Sequence, residues 1–145
     1  MTRILVSGMP RIRVRKTRTK CGIWVAVQTR NELVSIDPAT DSIADRIATR
    51  GIERPHGFVI DAEHRRLYVA GEENARVGVL DLRSRRVVHT YAVGDQPDVL
   101  ALDGRSRRLF VASESGMIAA FAVSGDSLVP LPRYSAPHAH SVAVD

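Results

Sequence analysis

Apolar and polar residues in this chain fall into short runs, and no window carries a helical period. The clearest stretch is RPHGFVIDAEHRRLYVAGEENARVGVLDL, from Arg54 to Leu82. It and the residues after it predict four strands, at Gly57–Asp61, Arg66–Ala70, Arg76–Asp81 and Val87–Ala92. Valine, isoleucine, leucine and tyrosine fill the runs. The gaps AEH, GEEN, LRSR and VGDQP hold turn formers. Runs such as LYVA and VLAL are apolar without alternation, as expected of strands buried on both faces.

The pattern repeats. HGFVIDAEHRRLYVAGE, from His56 to Glu72, returns as DVLALDGRSRRLFVASE, from Asp98 to Glu114. Three aligned starts, PHGFVID, PDVLALD and AHSVAVD, put Asp61, Asp103 and Asp145 at intervals of 42 residues. IWVA, LYVA and LFVA, starting at Ile23, Leu67 and Leu109, give a second anchor. Four short strands recurring at this period are the mark of β-propeller blades. The period is too long for leucine-rich repeats, the composition too β-branched for helical ones, and an immunoglobulin-like sandwich would not repeat its own sequence.

The predicted fold is therefore all-β, a β-propeller segment of four-stranded antiparallel blades. Strands are labelled A (innermost) to D. Residues 1–20 form a basic arm, expected to be disordered or artefactual, and 21–145 a partial propeller. Blade one supplies B, C and D at 21–54, blade two spans 55–95, blade three 96–136, and 137–145 reads as strand A of a fourth. Closed propellers typically need four to eight blades. Two readings follow: a fragment of a larger ring, or a homodimer in which terminal A strands are exchanged to make six blades.

LYVAGEENARVGVLDLRSRRVVHTYAVGDQP resembles the YVTN-type β-propeller repeat of YncE-like proteins. That unit runs P-x-G-x-A-x-D, then L-Y-V-A/T, x-V-x-V-I-D and a closing V-G-x-x-P. The resemblance covers about residues 20–145 and is strongest over 55–112. The third copy departs from it, since AFAVSGDSLVPLPRYSAP lacks the aspartate and the closing turn. The resemblance implies a ring of about seven blades and leans towards a periplasmic or extracellular setting. It leaves function open, because such folds host binding proteins and enzymes alike.

Charge changes the picture in one respect. The formal net charge is +5, yet residues 1–20 hold seven basic groups and no acid. The remaining 14 arginines face 16 acids, so the repeat domain is slightly acidic. The arm is not a signal peptide, because its apolar Ile4–Val6 is short and its charge comes afterwards. Without an accompanying helix or aromatic platform it gives little reason to expect nucleic-acid binding. No apolar run has the length of a membrane span. Cys21 is the single cysteine, so an intrachain disulfide is excluded.

Propeller geometry sorts the loops. The D-to-A and B-to-C connections share the top face, the others the bottom. His56, Asp98 and His140 begin successive A strands; Gln28, Glu72 and Glu114 are equivalent in the B-to-C loops; His138 lies nearby. All seven are candidate ligand-binding residues at the channel mouth. Two imidazoles and a carboxylate at His56, Asp98 and His140 are weak candidates for a divalent metal, and no other cofactor is indicated. Eight of the 14 arginines fall on the bottom face, among them Arg65, Arg107 and Arg85, and read as solubilising, weakly paired hairpin tips. Asp37 and Asp81 read as turn-bonding residues. P-loop, G-x-S-x-G and H-E-x-x-H signatures are missing from the sequence. The function expected is a non-enzymatic scaffold binding a ligand or protein through the top face and channel. The alternative is part of a propeller enzyme, lactonase-like or a metal-assisted hydrolase.

Overall fold

The computed structural model describes residues 22–145; the basic arm and Cys21 lie outside the described residues. Twelve strands form three antiparallel sheets. The first holds β1 (Ile23–Val27), β2 (Glu32–Asp37) and β3 (Ser42–Ala48), with a short 3₁₀ turn at Gln28–Arg30 after β1. The second runs β4 (Pro55–Asp61), β5 (Arg66–Gly71), β6 (Arg76–Asp81) and β7 (Arg86–Ala92) in chain order. The third runs β8 (Pro97–Asp103), β9 (Arg108–Ser113), β10 (Met117–Ser124) and β11 (Ser127–Pro130), with β12 (Tyr134–Ser135) beside β11 on the outer edge of β10.

Blade three thus departs from the simple four-strand expectation. Its outer edge is split, β11 pairing with Phe121–Ser124 and β12 with Met117 and Ile118. Pro130 ends the first half and Pro132 stands between the two, and proline cannot donate to a ladder. Residues 136–145 join no strand ladder.

The non-alternating apolar runs are explained by stacking. On β5, Leu67 and Val69 pack towards blade one with Leu33, Ile47, Ile52 and Leu80. Tyr68 and Ala70, pointing the other way, pack with Leu100, Leu109, Val111, Ala119 and Phe121 of blade three. All four β5 side chains are fully buried. Each buried leucine, isoleucine or valine in these layers contributes about 1.5–3 kcal/mol, so the two inter-blade layers hold the fold together. The far face of blade one keeps Ile23, Val25 and Ile43 exposed.

The hairpins close alike, with the last turn residue in the left-handed region: Asn31, Asp41, Arg65, Ala75, Arg85, Arg107, Gly116 and Gly125. Asp37, Asp81 and Asp103 accept the backbone N–H two residues on, at 2.8–2.9 Å, shaping those turns. Only two of the eight left-handed positions are glycine. Ala75, at φ 50°, carries a Cβ in a conformation that strains L-residues by about 1–2 kcal/mol. Glycine would relieve this, against about 0.5–1 kcal/mol of added chain entropy in the unfolded state. Ala75→Gly is therefore expected to raise stability by about 0.5–1 kcal/mol, read as a higher urea midpoint with unchanged slope.

The lead-in to each A strand also repeats. Arg54, Gln96 and His138, 42 residues apart in sequence, have φ of 51°, 52° and 62°. His138 therefore keeps the left-handed conformation that precedes β4 and β8, although no ladder follows.

Candidate functional site

His56 and Asp98 stand one residue into β4 and β8, each at a shift in strand register. Such irregularities re-aim a side chain locally. The B-to-C turns are pinned beside them. Glu72 N–H donates to the Arg54 carbonyl at 3.1 Å, and Glu114 N–H to the Gln96 carbonyl at 3.0 Å. Repeat-equivalent residues are therefore delivered to one end of neighbouring blades by backbone bonds.

The side chains then touch in sequence. Gln28 Nε2 donates to Glu72 Oε2 at 3.1 Å. The same carboxylate lies 3.9 Å from His56 Nδ1 and 3.8 Å from Arg54 Nη2. His56 Nδ1 is 3.4 Å from Asp98 Oδ1. Across blade three, Glu114 Oε1 lies 3.7 Å from His140 Nδ1. One donor atom each of Asp98, Glu114 and His140 falls within 4.8 Å of the other two. The rim thus brings together Gln28, Glu72, His56, Asp98, Glu114 and His140. Among the described residues, the three groups that converge with metal-ligand chemistry are Asp98, Glu114 and His140; His56 touches Asp98 but is not of that group. His138 is exposed and outside that group, entering through its left-handed backbone.

The sequence alone did not single out Glu114 over His56, because the pinning of the B-to-C turn onto Gln96 is a backbone feature. Next to Gln28 and His56 lies a hollow of about 730 Å³, lined also by Trp24, Val25, Ala26 and Phe58. It borders β1, the innermost strand of blade one among the described residues.

The bottom face is less loosely paired than its composition predicts. Arg107 Nη1 donates to Asp61 Oδ2 at 2.6 Å, and His64 Nδ1 lies 3.0 Å from both Asp61 oxygens. Asp61 is only 6% exposed. Burial pushes its carboxyl up, but the hydrogen bonds from Arg107 and from the His64 ring and amide outweigh this and hold it below the usual carboxylate range. Arg66 pairs with Asp81 at 2.9 Å, and Arg85 with Asp45 of blade one. The reading of these arginines as weakly paired tips is corrected for Arg107, whose partner is buried at the blade boundary. The repeat gives Arg107 the turn position of Arg65, 42 residues earlier, but not the acid that it meets.

Stacked antiparallel sheets with repeat-equivalent loops at each end define a β-propeller segment, and solved structures agree. Hydrazine synthase from Kuenenia stuttgartiensis superposes with a TM-score of 0.72 at 18% identity, over 83% of this chain and 34% of that one. A functionally unknown protein from Desulfotomaculum acetoxidans gives 0.67 at 13% identity, over 80% and 39%. The β-propeller domain of Cps50 (Swd1) from Myceliophteria thermophila gives 0.62 at 14%, over 78% and 41%. The chain spans between a third and about two fifths of the length of these structures. No family model matches the sequence. No curated protein matches it. No helix among the described residues is long and apolar enough to cross a membrane.

Proposed function

We propose that this chain is part of a β-propeller scaffold of the YVTN type that binds a cationic ligand, or a basic side chain of a protein partner, at the rim of its central channel. The observation that carries the reading is the unbroken run of contacts from Gln28 through Glu72 and His56 to Asp98, with Glu114 and His140 adjoining. Three carboxylates stand there on rigid strand ends and pinned turns. Among the described residues Arg54 is the one arginine paired with them. A site of that sign attracts positive charge and rejects anions. The alternative, part of a metal-assisted hydrolase, draws on the Asp98, Glu114 and His140 group alone.

The test is a titration of the full chain with a lysine- and arginine-rich peptide, following the ring signals of His56 and His140 by NMR. Both signals should shift saturably. An acidic peptide of equal length should leave them in place. Neutralising the rim with Glu72→Gln, Asp98→Asn and Glu114→Gln together should weaken binding about tenfold or more, at up to about 1 kcal/mol per exposed pair. Unchanged affinity in that triple variant would overturn the reading.

A further inference from the structure

We infer that Asp98, Glu114 and His140 form a binding site for one divalent transition-metal ion, with His56 as the positioning residue beside Asp98. The inference rests on the rim reading and gives one end of the rim a specific occupant.

One imidazole and two carboxylates suit zinc and neighbouring first-row ions. The donor atoms lie within 4.8 Å of one another. A tetrahedral ion with ligands at about 2.1 Å spaces them about 3.4 Å apart. Glu114 and His140 are 43% and 68% exposed, which leaves room for the side-chain rotation that closing the difference requires.

The backbone already holds the three together. Pro97 pairs with Ser113 across the antiparallel β8–β9 ladder, which sets Gln96 opposite Glu114 and leaves Asp98 on the register shift one residue past Pro97. Glu114 N–H and Ser115 N–H donate to the Gln96 and Asp95 carbonyls at 3.0 and 3.4 Å. His140 comes from elsewhere in sequence, yet its segment is tied to the same turn. Ala136 N–H donates to the Gly116 carbonyl at 2.8 Å, and Ala139 N–H to the Ala136 carbonyl at 3.0 Å. Gly116 allows this approach. Its φ is +86°, and a Cβ there would meet Pro137 Cα at 3.1 Å. His56 Nδ1, 3.4 Å from Asp98 Oδ1, contacts the same carboxylate without being one of the three converging groups. Outer partners of this kind tune affinity about 10–100-fold.

The experiment is calorimetric titration of the full chain with Zn²⁺ and with Co²⁺, the cobalt complex also followed by its visible absorption. One ion per chain is expected. His140→Ala and Glu114→Gln should each lower affinity at least about tenfold. His56→Ala should lower it less and alter the cobalt spectrum, which a purely structural role would not do. His89→Ala is the control, since His89 lies on β7 beside Asp126 and should leave binding unchanged. Circular dichroism checks that each variant folds. Failure to bind either ion, or wild-type affinity in His140→Ala, overturns the metal site. If the basic peptide still shifts His56 and His140 in that case, the rim reading survives alone. If the ion binds and the peptide does not, the metal site stands and the cationic-ligand reading falls.

Discussion

Replacing Arg107 with alanine is expected to destabilise the protein by about 3–5 kcal/mol, the usual effect of breaking a buried ion pair from one side. For a chain of this size that corresponds to a fall in melting temperature of about 6–20 °C. The reason lies in Asp61. Its carboxylate ends β4 at the boundary between blades two and three, nearly excluded from water, and Arg107 reaches it from the β8–β9 turn of the next blade. Without the guanidinium, burial remains and its largest compensation is gone. The double variant Asp61→Asn/Arg107→Ala should recover part of the loss, because no charge is then left behind.

The pH dependence gives a sharper check. In the wild type the Asp61 carboxyl is held below its ordinary range. Its contribution is therefore fully present above the unfolded carboxylate pKa and is lost as pH falls through the lower folded value. In Arg107→Ala, burial is opposed by the His64 bonds alone, so the folded value rises relative to the wild type and the variant suffers most at neutral pH. The difference in stability between the two proteins should shrink as pH falls through the carboxylate range. A difference that stayed constant from pH 7 to pH 3 would mean that Arg107 acts through packing of its stem and not through Asp61.

This latch also marks the limit of what the sequence discloses. The strands were legible because apolar runs and turn residues alternate at short range: predicted starts at Arg66 and Arg76 coincide with those of β5 and β6, and the others differ by a residue or two. Equivalence of His56, Asp98 and His140 followed from the 42-residue period. The partnerships did not. Whether Arg107 meets Asp61 depends on how far one blade is turned from the next, and whether Glu114 or His56 joins Asp98 and His140 depends on where a turn is pinned. Neither is written in a local pattern. The split outer edge of blade three was half visible, since its departure from the repeat was plain while the pairing of Tyr134 with Ile118 was not.

Gly57→Ala is expected to be the most damaging glycine-to-alanine change among the described residues. Gly57 follows His56 on β4, at the shift in register between Pro55 and Phe58. A Cβ placed there would overlap the Asp98 carbonyl oxygen, approach its carbon at 2.9 Å and meet Leu100 Cδ1 at 3.2 Å. The obstacle is the backbone of the inner strand of blade three, not the free end of a side chain. No rotamer change can relieve it, so β4 and β8 must separate along the layer that buries Leu100. Overpacking against an immovable neighbour reaches about 3 kcal/mol or more, or about 6–12 °C in melting temperature. Gly57 stands at the glycine of the P-x-G-x-A-x-D pattern, whereas the equivalent residue of blade three is Val99. The repeat therefore does not impose glycine here; the close approach of two inner strands does. Gly104→Ala supplies the comparison, since a Cβ at Gly104 meets nothing within 4 Å and should change the melting temperature little. Because Gly57 lies between His56 and the Asp98 backbone, the damage should extend to the rim. Ring signals of His56 should move even in samples kept well below the lowered melting temperature. If Gly57→Ala melts like the wild type, β4 and β8 are not in the close contact described, and the 3.4 Å approach of His56 to Asp98 falls with it.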